Sequence, residues 1–487
     1  MGLLSRLKPE QVWEYFEQIC SIPRTSRNEG MIRKYLLDFA ANNNLESKED
    51  AVGNILITRQ PFPGKEKVKT VVLQSHMDMV GEKNANHPHN WKTDPIKPLV
   101  NGEWVASSGT TLGADDGIGI AAQMAILTDK DLKCGKIECL FTVDEESGMT
   151  GAINLKPNFF TGKTLLNLDS EDEGILYIGC AGGIDTIGIL HYEPIPVRSN
   201  SCAFEISVTG LRGGHSGDEI HKGLGNSVKI INQLLSVLDK KYGVNLANLD
   251  AGNLRNAIPR EAFATIVSDL TKREGIERSV SDFHKSQSLY FGETEKDIKI
   301  SLNITELPEF TMDKDSQLML NAALECCPHG VIAWSKEMED LVETSTNLAS
   351  AKFTDNNSII IVTTHRSSVE SAKHETAAKV ARCLLKANAE IKHSDGYPGW
   401  EPDMNSEILA ITSNAYVNLF GKDPQVKAIH AGLECGLIYE TFKGIDMISF
   451  GPTIRGAHTP EEKIEIASTQ MFWMLLKEVI CSMPEAS

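Results

Sequence analysis

The sequence predicts an α/β fold in which one mixed sheet, flanked by helices, is interrupted by a long inserted unit that is itself α/β. Three observations carry this expectation. Short apolar runs alternate with segments of helical periodicity, as in an α/β sheet. Four of those runs stop at a cluster of carboxylates or at a histidine, and open α/β sheets place their sites at the carboxyl ends of strands. The last of the four lies far along the chain from the other three, so the chain must leave the first sheet and return to it.

The elements follow in order. Residues 9–20 and 28–42 have helical spacing, with Val12, Tyr15, Phe16 and Ile19 on one face and Ile32, Tyr35, Leu36 and Phe39 on the next. Val71-Val72-Leu73 reads as a buried strand running into Ser75-His76-Met77-Asp78. The turn Gly113-Ala114-Asp115-Asp116 enters a helix over Ile118 to Leu127. A second strand, Ile137 to Val143, ends in Asp144-Glu145-Glu146, and a third, Leu165 to Leu168, ends in Asp169. The fourth, Ile445 to Phe450, runs into Gly451-Pro452 and then His458. Between the third and fourth, strands are expected at Cys202 to Val208, Ile298 to Ile304 and Ile359 to Thr363, and helices at Ser227 to Leu238 and Glu375 to Ala387. The division expected is 1–186 for the first part of the interrupted domain, 187–398 for the insertion and 399–487 for the second part.

With 487 residues the chain exceeds what one domain usually holds. It is 41% hydrophobic and 23% charged, the composition of an ordinary globular protein. Its net charge of −18, from 48 basic and 66 acidic residues, works against nucleic acid and anionic membrane as partners. No Lys/Arg-rich tract offsets that balance, and no apolar stretch reaches the roughly 18 residues a membrane span needs. The N-terminal run MGLLSRLKPE lacks the basic start and apolar core of a secretion signal, so a cytoplasmic protein is expected. Ten cysteines are scattered without any CxxC pair, and reduced, buried thiols are expected for all of them.

The strand-end residues have the chemistry of a two-metal hydrolase. Such sites need imidazole and carboxylate ligands, a carboxylate shared by ions about 3.5–4 Å apart, and a base beside the attacking water. His76 and Asp78 lie two apart on an extended segment, so their side chains can face the same way and Asp78 can fix the tautomer of His76. Asp115-Asp116 opens a helix, where capping is the plain alternative and suits Asp116. Glu145-Glu146 follows a buried-type strand, where paired carboxylates are costly without cations or a shared proton. Singly, His76, Asp115, Glu146, Asp169 and His458 could each be a surface or satisfied polar residue. At successive strand ends they reinforce one another.

The runs SHMDMV (75–80), GADDGIG (113–119), DEESGMTGA (144–152), NLDSEDEG (167–174), GLRGGHSG (210–217), NAIPREA (256–262) and GAHTPEE (456–462) resemble the M20 metallopeptidase family. HRSSVES (365–371) and IHAGLECGL (429–437) are most similar to its aminoacyl-histidine dipeptidase (Xaa-His dipeptidase) branch. The resemblance implies a zinc-peptidase-like catalytic domain with a lid domain inserted. It implies that His76 and His458 each bind one metal, that Asp115 bridges them with a cis peptide after it, and that Glu146 and Asp169 complete the shells. Glu145 would be the general base and Asp78 the residue that orients His76. From the lid, His215 would polarise the scissile carbonyl, and Asn256 and Arg366 would bind substrate, Arg366 through the α-carboxylate its planar fork suits. A backbone-bonded turn histidine and a surface arginine are the plain alternatives for His215 and Arg366.

The expected cofactor is a pair of divalent ions, zinc first because the ligands mix imidazole and carboxylate with no thiolate, with cobalt or manganese accepted by the same set. The resemblance implies as substrate a small peptide with a free C-terminus, such as β-Ala-His, and as assembly a homodimer through the lid. Competing readings are an M20 amidohydrolase acting on N-acyl amino acids, a dinuclear phosphoesterase, and a non-catalytic scaffold. The phosphoesterase would want a phosphate cradle, which is not found, and the scaffold reading loses ground because Glu145 and every ligand are present.

Overall fold

Val71, Val72 and Leu73 are buried, as a run covered on both faces must be, and form the strand Val71–His76. The computed structural model describes residues 2–486 and divides the chain into two units. One unit runs up to Gly179 and takes in Pro402–Ala428 and the segment from Leu433 onward; the other is Cys180–Glu401 with Ile429–Gly432.

The first unit holds an eight-stranded mixed sheet. Its order is Glu46–Glu49, Ile55–Arg59, Ile137–Thr142, Val71–His76, Thr164–Asn167, Asp446–Ser449, Ile175–Cys180, Gln425–Ile429. The four strands that were expected to carry the site are adjacent and parallel, with His76 opposite Thr142, and Asn167 opposite both Gln74 and Ser449. That register brings four carboxyl ends level with one another. The late strand Asp446–Ser449 pairs with Thr164–Asn167, so the chain does return to the sheet it left. The helix Ala114–Thr128 packs against Val71–His76 and against Glu10–Cys20, which explains why nearly all of it is apolar.

The second unit is built on an antiparallel sheet, in the order Lys299–Thr305, Ser201–Thr209, Ala262–Asp269, Asn245–Gly252, Val342–Thr354, Ser358–Ser367, Gly182–His191, Glu390–His393, with Gly330–Trp334 added to Val342–Thr354. Its core joins Phe204, Ile206 and Val208 of the sheet to Ile231, Leu234, Leu320, Val380 and Leu384 of the helices. Residues 182–186 already pair with Ser358–Ser367, which is why the unit begins at Cys180 rather than at the expected 187. Its return after Glu401 lies close to the expected 398/399, and the brief re-entry Ile429–Gly432 was not expected. There Ala181 N–H donates to the carbonyls of Ile429 and Ala431.

One expectation is overturned. Cys326 and Cys383, on the helices Lys314–Cys326 and Glu370–Leu385, are joined by a disulfide with Cα atoms 5.6 Å apart. Reduced thiols had been expected throughout because the sequence has no CxxC pair and no secretion signal, and the two cysteines stand 57 positions apart. Only the packing of the two helices brings them together. Among the described residues, no helix is long and apolar enough to cross a membrane.

Leu166 is fully buried in the central parallel strands. Replacing it by Ala should cost about 2–5 kcal/mol, read as an earlier midpoint in denaturant unfolding; an unchanged midpoint would contradict this placement of the core.

Candidate metal centre

Two imidazoles and one carboxylate define the site. His76, the last residue of its strand, has Nε2 3.0 Å from Asp115 Oδ1 and 3.4 Å from Asp169 Oδ1. His458, at φ 64° in the loop beyond Asp446–Ser449, has Nε2 3.3 Å from Asp115 Oδ2 and 2.9 Å from Glu146 Oε2. Each oxygen of Asp115 therefore faces a different histidine. Its backbone is non-helical although it stands at the head of Ala114–Thr128, and the Asp115–Asp116 peptide is cis. Asp116 turns inward instead and accepts from Gly119 N–H at 3.1 Å, the capping role expected of it.

Asp78 ties the parts together. Its carboxylate, wholly buried, accepts from the backbone N–H of Glu145 at 3.0 Å and of Glu146 at 3.2 Å, and from Ser26 Oγ at 2.8 Å. Its Oδ1 also lies 3.4 Å from His76 Nδ1, near but without hydrogen-bond alignment. One carboxylate thus fixes the turn bearing Glu145 and Glu146 relative to the strand bearing His76.

The electrostatics are those of too many carboxylates in one buried place. Burial alone would lower His76, but Asp169, Asp115 and Asp78 raise it well above the ordinary imidazole value. Hydrogen bonds to Asp115 and Glu146 push His458 up to about 11. Burial works to raise Asp115, yet the two imidazoles hold it below its usual value. Asp169 is pushed up to about 7, and Glu145 well above its ordinary value, in both cases chiefly by burial. Asp78, Asp115, Glu145, Glu146 and Asp169 surround just two imidazoles, and that excess of negative charge suits divalent cations.

The geometry fits them too. Ligands 2.0–2.2 Å from a tetrahedral ion stand roughly 3.3–3.6 Å apart, near the 2.9–3.4 Å found here between histidine nitrogens and carboxylate oxygens. Four groups of side chains are close enough to hold an ion: His76 with Asp115 and Asp169, His458 with Asp115 and Glu146, His76 with Glu145 and Glu146, and Glu29 with Asp78 and Asp144; the first two share Asp115. All five expected ligands come together, with Glu145 beside them.

The remaining expected residues lie in the second unit. His215 is partly exposed; its Nδ1 accepts from Asp218 N–H at 3.2 Å and stands 3.2 Å from Asp218 Oδ2. Asn256 is exposed, and its carbonyl accepts from Ser216 N–H at 2.9 Å, beside the pairing of Gly214–His215 with Ala257–Ile258. Both residues line one cleft of about 710 Å³. Arg366 is not in that cleft. It is buried rather than at the surface, donates from Nη1 to Tyr397 Oη at 2.9 Å, and leaves Nε without a partner. Its charge, after that of His215, helps hold Asp218 below the usual carboxylate value.

Three residues near the metal centre escape sequence reading. Glu434, in a run quoted above but given no role, is buried and accepts from Gln74 Nε2 at 2.7 Å and Thr142 Oγ1 at 2.6 Å. Burial pushes its carboxyl up to about 7. Arg24 and Glu462 are buried where isolated charges would be taken for surface ones. Glu462 at least stands four residues after His458, a signal that could have drawn attention to it.

The sequence profile of peptidase family M20/M25/M40 matches residues 72–480. The chain belongs to that family. A cytosol non-specific dipeptidase from Escherichia coli (strain K12) is 39% identical over 484 residues, 99% of this chain and 100% of that protein. The crystal structure of aminoacylhistidine dipeptidase from Vibrio alginolyticus superimposes with a TM-score of 0.93 at 38% identity, covering 100% of this chain and 99% of that one. Aminopeptidase PepT from Bacillus cereus, at 17% identity and a TM-score of 0.63 over 98% of each chain, shares the fold. The two-unit α/β architecture expected from the sequence is thus that of M20 peptidases.

Titration of chelator-stripped protein with Zn²⁺ or Mn²⁺ in a calorimeter should show two ions per chain. His458→Ala should abolish or weaken by at least tenfold the binding of one of them; a variant that binds both as the parent does would remove His458 from the ligand set.

Proposed function

We propose that this M20 peptidase is a dipeptidase that works with two divalent cations, one held by His76, Asp115 and Asp169 and the other by His458, Asp115 and Glu146. The observation that carries the reading is the carboxylate of Asp115, one oxygen against each histidine. The likeness to a non-specific dipeptidase and to an aminoacylhistidine dipeptidase, each over nearly the full chain, supports the substrate class. Zinc suits a set of imidazoles and carboxylates without thiolate, and cobalt or manganese would be accepted.

Bound cations would supply positive charge that makes a water acidic and polarises the scissile carbonyl. Glu145 takes the proton of the attacking water and returns it to the departing amine. Burial raises its proton affinity, which suits a group that must hold a proton between those events. Asp78 keeps Glu145 in place through the backbone bond to Oδ1. From the second unit, Arg366 binds the free carboxylate of the substrate, His215 steadies the carbonyl oxygen as it gains charge, and Asn256 contacts the peptide. Dipeptides of the Xaa-His type, including β-Ala-His, fall within a wider range of short substrates. The net charge of −18 supports a peptide rather than nucleic acid or a membrane as the partner. A cytoplasmic homodimer formed through the second unit completes the reading.

Glu145→Ala, assayed on a dipeptide panel at saturating metal, should lose about 10²–10⁴-fold in kcat; retention of kcat would remove Glu145 as base. Arg366→Ala should raise KM for free dipeptides far more than for their C-terminal amides, and equal losses would sink the carboxylate role.

A further inference from the structure

Asp115 can face two histidines only if its backbone is held in place, because the turn that carries it is neither helix nor strand. The turn 112–115 is gripped from two sides by buried side chains of opposite charge. Glu462 accepts four successive backbone N–H groups: Oε2 from Leu112 at 2.8 Å and Gly113 at 2.9 Å, Oε1 from Ala114 at 2.7 Å and Asp115 at 3.3 Å. Arg24 donates from Nη2 to the carbonyl of Gly113 at 2.5 Å and from Nη1 to the carbonyls of Met77 at 2.9 Å and Asp78 at 2.6 Å. Both side chains are 2% exposed. Burying a charge is costly unless it is fully bonded, and here the bonds go to the backbone of the turn that ends at Asp115 and of the segment that follows His76.

The glycines of GADDGIG make room for this grip. A Cβ on Gly113, whose φ is +69°, would stand 2.7 Å from Met79 Sδ and 2.8 Å from Arg24 Nη2. A Cβ on Gly117 would stand 2.6 Å from Arg24 Nη2. The glycines thus admit the guanidinium as well as shaping the turn. Glu462 shares a short loop with His458, where Thr459 N–H donates to the Gly456 carbonyl and Glu462 N–H to the Thr459 carbonyl, both at 3.1 Å. Arg24 reaches the strand end that carries His76 and Asp78.

We propose that Glu462 and Arg24 are positioning residues that lock the loop of His458 and the strand end of His76 onto the turn of Asp115, and so set the spacing of the metal ligands without touching a metal. This rests on reading the site as a metal centre. A bidentate carboxylate matched to four N–H groups has no neutral substitute, since Gln turns an NH₂ donor toward backbone donors. Lys in place of Arg24 keeps the charge but loses the fork that spans two backbone segments.

The test titrates chelator-stripped protein with Zn²⁺ or Mn²⁺ by calorimetry, alongside the unfolding transition of the stripped protein. The parent comes first: failure to bind any divalent ion would refute the metal-centre reading itself. With a parent that binds two ions, Glu462→Gln and Arg24→Lys should each bind 10–100-fold more weakly while still unfolding cooperatively when metal-free. A role confined to folding would lower the unfolding temperature and leave metal affinity at the parent value, and that result overturns the proposal. Should Glu462→Gln fail to fold, Glu462→Asp, which keeps the charge and shortens the reach, is judged by the same two outcomes.

Discussion

Each oxygen of Asp115 lies against a different histidine, one from an early strand and one from the far end of the chain. That sharing sets what the rest of the first unit must do. Four parallel strands have to end level, the chain has to return to its first sheet after the second unit, and a non-helical turn has to be held at the head of a helix. The sheet register meets the first demand, with His76 opposite Thr142 and Asn167 opposite Ser449. The strand Asp446–Ser449 meets the second by pairing with Thr164–Asn167. Arg24 and Glu462 meet the third.

Charge makes this arrangement one that suits cations. Asp78, with three hydrogen-bond donors, can stay ionised although fully buried. Asp169 and Glu145, which lack such a set, are raised by burial. The imidazoles of His76 and His458 are raised in turn by the carboxylates around them. Divalent ions between those groups would relieve both tendencies at once, leaving neutral imidazoles and ionised carboxylates as ligands.

Much of this was legible in the sequence. Apolar runs that stop at His76, Glu145-Glu146 and Asp169 gave the strand ends, and the distance to His458 required an insertion. Unit limits were legible only to within several residues, because 182–186 join the second sheet by pairing with Ser358–Ser367, a partner far away in sequence. The long helix Arg273–Phe291 was not anticipated; it buries only Ile276, Ser279 and Val280, too narrow an apolar stripe to show as periodicity. Arg24, Glu434 and Glu462 were illegible for a related reason. A buried charge is recognised by its partners, and theirs are backbone groups or side chains remote along the chain. The Cys326–Cys383 disulfide depends in the same way on how two helices pack.

The most direct measurement is anomalous diffraction at the zinc edge from crystals of the zinc-loaded protein. Two peaks about 3.5–4 Å apart are expected, one beside His76 and Asp169, the other beside His458 and Glu146, with Asp115 between them. A single peak, or two peaks not joined by Asp115, would contradict the shared carboxylate on which the whole arrangement turns.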